Sequence, residues 1–279
     1  MSKVAIIGLG SIGAGVARAL AQGKGGRLHE LTGYDVRPQS LEELAGVLRA
    51  AATPAAASAG ADVVLLAVVD DGQVREVLEG KDGVLSASPL PRAVVILSTV
   101  TLPTVLWAGD TCAARGVALV DCGVSGGPHA LAHASITSMV GGDEAAFEIV
   151  RPVIDGFSDP TIHCGQLGNG MRAKLARNLI IYTDWMVAWE GARLARAAGV
   201  PLDKFVQCVT ASDRWVRPHM GLVEEGVGLE SGASRPSTAA VADKDLRAAL
   251  ALGAELAMDL PAAELALARF GAVAGVTQP

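Results

Sequence analysis

Aromatic side chains are scarce in this chain, at 4% of 279 residues with only 2 Tyr, while Gly alone supplies 33. A β-sandwich core fits that balance poorly; tightly packed helices and short strand-to-helix turns fit it well. Cysteine is sparse as well. Cys112, Cys122, Cys164 and Cys208 are widely separated, with no C-x-x-C pair. That scatter argues against a disulfide framework and a zinc site, so no metal is expected and the thiols are expected to be buried and reduced. Excess positive charge is missing too: the net charge is −6 and the pI about 5.4, with no basic run, which argues against a nucleic-acid partner. No apolar run reaches the roughly 20 residues of a transmembrane span. The chain enters a strand at once from MSKVAIIGLG, without the charged and apolar regions of a signal peptide. A soluble, cytoplasmic protein is the expectation.

What is present is globular in composition, with 51% hydrophobic and 19% charged residues over a length that suits two domains. Val4–Ile7 reads as a short β-branched strand, Gly8-Leu9-Gly10-Ser11-Ile12-Gly13 follows directly, and Ala14–Ala21 reads as a helix. This is G-x-G-x-x-G between strand and helix, the context that gives the motif meaning. Its glycines allow a tight turn, close approach to a pyrophosphate and close helix packing, and the helix N-terminus offers free N–H groups. A second strand, Leu31–Asp35, ends in an acid 22 positions after Gly13, where a carboxylate accepts hydrogen bonds from an adenosine ribose. Asp35, followed by Val36 and Arg37, favours NAD by repelling a 2′-phosphate; Arg37 leaves NADP possible.

Strand and helix continue to alternate. A helix is expected over Gln39–Leu48, a poor strand at Ala51–Thr53, a helix at Ala55–Ala59, and an apolar strand Val63–Val69 of the kind buried on both faces of a parallel sheet. Helix Gln73–Leu78, strand Ala93–Leu97, helix Pro103–Arg115 and strand Val117–Asp121 come next, then a glycine-rich turn through Pro128. Strand Ser135–Val140, helix Glu144–Ile154 and strand Thr161–His163 close the series. The strand ends at Gly8 onward, Val68–Asp71 and Ser98–Val100 share the side on which open α/β sheets bind ligands.

From Gly165 to Glu190 a glycine-punctuated turn opens into one long helical pattern, and everything after it is helical: Ala192–Ala198, Leu202–Thr210, Trp215–Glu225, Ala239–Met258 and Ala262–Val273, with a loop at Gly226–Pro236. The fold class is therefore α/β, a Rossmann-type doubly wound sheet with an all-α C-terminal domain joined by a long interdomain helix. The expected domains are residues 1–164 for dinucleotide binding, 165–190 for the connecting helix and 191–279 for substrate binding and oligomerisation. On that helix Lys174 and Asn178 lie one turn apart on one face, continued by Ile181, Tyr182 and Trp185.

A dinucleotide domain followed by a helical one implies hydride transfer, which needs a substrate anchor and a group to handle the proton. Lys174 suits the second role because burial beside a cationic ring lowers an ammonium pKa from about 10.4 towards neutrality. Asn178 can orient the reacting oxygen, and Ser125-Gly126-Gly127 offers a hydroxyl and unobstructed backbone N–H groups for a carboxylate. On spacing alone, a solvated lysine and an ordinary turn account for these residues equally well.

Four segments in order resemble the β-hydroxyacid dehydrogenase family, which includes 3-hydroxyisobutyrate dehydrogenases and relatives of 6-phosphogluconate dehydrogenase. They are Gly8–Gly13, Asp121–Gly127, the G-x-x-G-x-G-x-x-x-K-x-x-x-N pattern from Gly165 to Asn178, and Lys244-Asp245-Leu246. The resemblance implies that Lys174 is the catalytic acid/base and that Ser125, Gly126, Gly127 and Asn178 bind substrate. It implies that Thr99 and Lys244 approach the nicotinamide, and that Val68 and Val69 line the adenosine-ribose side. It further implies an NAD(P)-dependent interconversion of a 3-hydroxy acid and its semialdehyde or keto acid, in a homodimer or homotetramer built through the helical domain. Departures from the family pattern bear on substrate: Ile12 for Met, Arg177 for the first of two asparagines, Ala130 and Ala134 for glycines, and added His129, His133, Arg214, Arg217 and His219. A larger, aromatic or more acidic substrate is expected. An imine reductase shares the architecture but generally lacks the helix lysine, and a non-catalytic NAD(H)-binding module would need no proton donor.

Overall fold

A computed structural model describes residues 2–26, 28–216, 222, 225–227 and 233–276. It divides into two compact units, residues 1–177 and 178–279. The first carries β1 (Ser2–Ile7), α1 (Ser11–Ala21), β2 (His29–Tyr34), α2 (Pro38–Glu42), β3 (Arg49–Ala50), α3 (Pro54–Ser58), β4 (Val63–Leu66) and α4 (Asp71–Glu79). It continues with β5 (Ala93–Ile96), α5 (Leu102–Ala113), β6 (Ala118–Ser125), α6 (Gly127–Ala132), β7 (Ile136–Gly141), α7 (Glu144–Ile154) and β8 (Ser158–His163). The strands form one sheet in the order β3-β2-β1-β4-β5-β6-β7-β8. Neighbours pair in parallel from β3 to β6, β7 runs antiparallel to β6, and β8 is parallel to β7.

Period-two alternation sends neighbouring side chains to opposite faces. Ile6, Leu65 and Val95 therefore join Leu20, Phe147 and Phe157 in one core, while Ile7, Leu66 and Ile96 join Leu78, Val105 and Met171 in the other. Each fully buried Leu, Ile or Phe contributes about 1.5–3 kcal/mol of apolar transfer energy, so a sheet covered on both faces by helices is where these apolar strands are stable.

Several boundaries differ from the sequence expectations. β4 stops at Leu66 rather than Val69, because the chain leaves the sheet there: the Val68 carbonyl accepts the Ser98 hydroxyl and Val69 is 80% exposed. The helix expected over Gln39–Leu48 ends at Glu42, and the chain turns through Gly46 at φ +81°, a conformation closed to helix-forming L residues. The poor strand sits two residues earlier, at Arg49–Ala50. β6 runs past Asp121 to Ser125 because β7 pairs with Asp121–Ser125, beyond the stretch that β5 reaches.

The connecting helix, α8 (Asn169–Ala197), is longer than expected and absorbs the separate helix placed at Ala192–Ala198. It passes from the first unit into the second, where α9 (Leu202–Val216), α10 (Pro236–Glu255) and α11 (Pro261–Val273) follow. The helix expected at Trp215–Glu225 and the loop Gly226–Pro236 fall largely outside the described residues, as do Arg217 and His219. The described part of the second unit buries little: Glu190, Val227, Leu260, Ala262 and Ala274 are its buried side chains. No helix among the described residues is long and apolar enough to cross a membrane.

Candidate active site

The glycine loop leaves β1 with Gly8 at φ +90°, and a Cβ there would meet the Ala67 carbonyl oxygen at 2.5 Å. A Cβ on Gly13 would overlap the Gly8 carbonyl, so both positions require glycine for packing alone. Gly10 differs: its missing Cβ would meet only Arg37 Nη2, at 3.9 Å, leaving an open cradle at the start of α1. α1 begins without a side-chain cap, without proline and without an acid in its first turn. Side chains of Thr53, Asp70 and Asp143 cap α3, α4 and α7, and α2, α5 and α6 open on proline. Among α1 to α7, α1 alone begins with neither a capping side chain nor a proline, which leaves its free N–H groups and partial positive charge available.

Beside that cradle lies a cavity of about 520 Å³ lined by Gly8, Gly10, Asp35, Val36, Arg37, Val68 and Val69, among others. Leu9, Ser11, Gly10 and Arg37 also border a second cavity of about 480 Å³ along α1. Ile12 packs against the core instead. The Asp35 carboxylate accepts the Leu9 N–H at 2.7 Å and the Arg37 N–H at 2.9 Å, and Arg37 Nε and Nη2 donate to it at 3.1 and 3.3 Å. Burial opposes its ionisation, but the Arg37 and Leu9 hydrogen bonds outweigh that and hold the carboxyl below its ordinary range. An anion-seeking helix end, a glycine cradle and an ionised acid around one cavity fit the pyrophosphate and ribose of a dinucleotide.

The loops after β4 and β5 are tied together, for Ser98 Oγ donates to the Val68 carbonyl at 2.8 Å and Thr101 Oγ1 to the Asp71 carboxylate at 2.6 Å. Thr99 stands exposed between those anchors. One strand over, β6 ends in half-buried Ser125, and Gly126 and Gly127 both take positive φ, +134° and +71°, as the chain turns into α6. Expected as a glycine-rich turn with N–H groups open to a carboxylate, this segment is a strand end that feeds a helix.

Lys174 lies in the second turn of α8. Its Nζ donates to the Val124 carbonyl at 2.6 Å, one residue before Ser125. A Cβ on Gly123 would clash with the Lys174 side chain, so glycine there lets the lysine stem lie against β6. Burial, and then the nearby Arg177 cation, lower the Lys174 pKa. The structure thus brings Lys174 to the Ser125-Gly126-Gly127 segment, 47 or more residues earlier in the chain. Asn178 is half-buried one turn further along α8, as is Ile181, whereas Tyr182 and Trp185 of the expected common face are exposed. Lys244 lies on α10, exposed and ion-paired with Asp245 at 3.3 Å. His129 and His133 meet edge to face at 4.8 Å near the end of α6.

Asp121 is a residue of this site that sequence reasoning passed over. It is wholly buried at the start of the Asp121–Gly127 segment, and its carboxylate holds the N-terminus of α8. The available signal was an acid inside an otherwise apolar strand. Of the four thiols expected to be buried, Cys112 and Cys122 are, with burial pushing each up to about 12, but Cys208 is exposed on α9 and Cys164 is half-buried. Among the described residues no cluster of His, Cys, Asp or Glu suits a metal ion.

Residues 3–168 match the family model described as the NAD binding domain of 6-phosphogluconate dehydrogenase. An uncharacterised oxidoreductase of Mycobacterium tuberculosis is 33% identical over 99% of this chain and 95% of its own length. L-threonate dehydrogenase of Haemophilus influenzae is 30% identical over 77% of this chain and 71% of its own. The crystal structure of 3-hydroxyisobutyrate dehydrogenase from Salmonella typhimurium superposes with a TM-score of 0.68 at 28% identity, covering 97% of this chain and 93% of that one. An imine reductase of Streptomyces aurantiacus, at 20% identity and a TM-score of 0.78, shares the fold. With its glycine cradle, paired Asp35 and lysine-bearing helix in this arrangement, the chain is an NAD(P)-binding oxidoreductase belonging to the β-hydroxyacid dehydrogenase family.

Proposed function

We propose that this protein interconverts a 3-hydroxy acid and the corresponding semialdehyde or keto acid, with Lys174 as general acid/base. The observation that carries this reading is the half-buried Lys174 ammonium bonded to Val124 O, one residue from the hydroxyl and the two glycines expected to hold a carboxylate. The nicotinamide cofactor supplies or accepts the hydride. In the oxidative direction Lys174, as the free amine, takes the proton from the substrate hydroxyl; in the reductive direction its ammonium returns a proton to the carbonyl oxygen. Ser125 and the Gly126 and Gly127 N–H groups bind the substrate carboxylate, and Asn178 orients the reacting oxygen. Gly8 to Gly13 seat the pyrophosphate, and Asp35, with Val36 and Arg37 beside it, holds the adenosine ribose. Val68 and Val69 line that pocket, while Thr99 and Lys244 serve the nicotinamide end.

Asp35 favours NAD over NADP, since a 2′-phosphate would face its ionised carboxylate. The substrate is larger, aromatic or more acidic than the simplest branched-chain acid, a reading supported by His129 and His133 on and just after α6 and by the Arg177 cation beside Lys174. Residues 1–164 form the dinucleotide-binding domain, and the helical domain pairs with that of a second copy. The protein acts in the cytoplasm.

The deciding experiment is a panel of 3-hydroxyisobutyrate, L-threonate, glycerate and L-serine with larger aromatic and dicarboxylic 3-hydroxy acids, run with NAD and NADP and read by nicotinamide absorbance. Lys174→Ala should lower kcat by about 10²–10⁴-fold while NADH still binds. An unchanged rate removes the mechanism, and turnover of 3-hydroxyisobutyrate or glycerate alone removes the larger-substrate assignment. Reduction of cyclic imines with no alcohol turnover would instead favour the imine reductase reading.

A further inference from the structure

The Asp121 side chain is completely buried, where an unpaired charge would be neutralised or expelled from the fold. Its partners are backbone donors: Oδ1 accepts the Gly168 N–H at 2.6 Å and Oδ2 the Met171 N–H at 2.5 Å. Gly168 precedes α8 and Met171 is its third residue, so one carboxylate from a neighbouring strand satisfies both N–H groups that a capping box normally satisfies with two local side chains. The negative charge also opposes the positive end of the helix dipole. Backbone packs on backbone around this contact, since a Cβ on Gly170 would meet Asp121 O at 2.7 Å and Gly141 N at 2.8 Å.

Three residues further along β6, the Val124 carbonyl accepts the Lys174 ammonium. A strand advances about 3.3 Å per residue, so these two attachments lie roughly 10 Å apart along β6. The helix advances only about 1.5 Å per residue, some 4.5 Å from Met171 to Lys174, and the extended lysine side chain makes up the difference. A slip of one residue would rotate the helix by about 100° and carry Lys174 off the strand.

We propose that Asp121 is a positioning residue: by clamping the first turn of α8 onto β6 it sets where the Lys174 ammonium stands relative to Ser125, Gly126 and Gly127. The proposal rests on Lys174 being the acid/base. Burial, the dominant influence on Asp121, raises its carboxyl while the two N–H bonds oppose that shift.

Asp121→Asn keeps the shape but replaces one acceptor oxygen by a donor, leaving one of the two N–H groups unpartnered. Competitive acetylation of the wild-type protein without cofactor or substrate, read by mass spectrometry across pH, should report a pKa for Lys174 below that of an ordinary lysine. In Asp121→Asn the Lys174 value should rise towards that of an ordinary lysine and its labelling should increase severalfold. With the best panel substrate kcat should fall tenfold or more while the NADH dissociation constant stays within twofold. A folded Asp121→Asn protein whose Lys174 labelling curve and kcat superimpose on wild type overturns the clamp. Lys174→Ala separates the two ideas: an active Lys174→Ala defeats the acid/base reading, whereas an inactive one beside a wild-type-like Asp121→Asn defeats the clamp alone. Should Asp121→Asn not fold, hydrogen exchange of the wild-type protein decides: Gly168 and Met171 amides should exchange as slowly as those of β6 and β7, and exchange at the rate of an exposed helix end rules the clamp out.

Discussion

Four hydrogen bonds converge on the Asp35 carboxylate, three of them from Arg37. The pair is only two residues apart, so its closeness was legible in the chain; that the exposed Arg37 turns its guanidinium back onto the Asp35 carboxylate was not. Asp35→Ser should remove the repulsion a 2′-phosphate meets, leave Arg37 free to pair with it, and shift the NADPH-to-NADH affinity ratio upward by about tenfold, roughly 1.4 kcal/mol, in fluorescence titrations. An unchanged ratio would exclude Asp35 from cofactor choice. Lys174 gives a second test at this scale. Burial first and Arg177 second lower its pKa, so Arg177→Gln removes a repelling cation and must raise it. In the oxidative direction the free amine is the active form and kcat/KM rises with pH through this pKa; in the reductive direction the ammonium is active and kcat/KM falls through it. Both limbs should therefore move to higher pH in Arg177→Gln, and a limb that stays put or moves lower contradicts the assignment.

Helix ends decide much of the architecture at the scale of elements. Asp121 holds the start of α8, and the buried carboxylate of Glu190 does the same for α11 by accepting the N–H groups of Ala262 and Ala263 at 3.1 and 3.0 Å. α1 has no such partner, so its end is free to meet a ligand. Glu190→Ala should cost about 1–3 kcal/mol, the penalty of unpaired buried donors, measured as a lowered urea midpoint of the transition that melts the helical unit. Phe157→Ala, at a fully buried position on the sheet's face, should cost about 3–5 kcal/mol in the transition of the first unit. The glycine loop, the βα alternation and helix Glu144–Ile154 were readable because local pattern sets them. The stop at Leu66, the extension of β6 to Ser125 and the capping acids were not, because partners 12 to 73 residues away in sequence determine them.

For the whole molecule the exposed apolar face of α8 bears on assembly. Leu179, Tyr182, Trp185, Met186 and Trp189 are all exposed, Trp185 to 62%, along a helix whose own unit buries few side chains. An apolar stripe of this size on one helix marks an interface rather than a solvent face. A second copy is the expected occupant, so sedimentation should give at least twice the 28.4 kDa chain mass, and Trp185→Asp combined with Trp189→Asp should dissociate it and lower stability as concentration falls. A monomer at micromolar concentration with an intact melting transition would remove this expectation.

The sequence by itself determined the class of fold, the dinucleotide motif and the family, because strand–glycine–helix order, the acid ending the second strand and the Gly165–Asn178 pattern are short-range features of the chain. Only the tertiary structure decided that Lys174 meets the backbone beside Ser125, that Asp121 anchors the helix carrying it, and that Asp35 is already paired with Arg37. Those are contacts whose energies depend on burial and on which strand lies next to which, and such quantities exist only once the chain has folded.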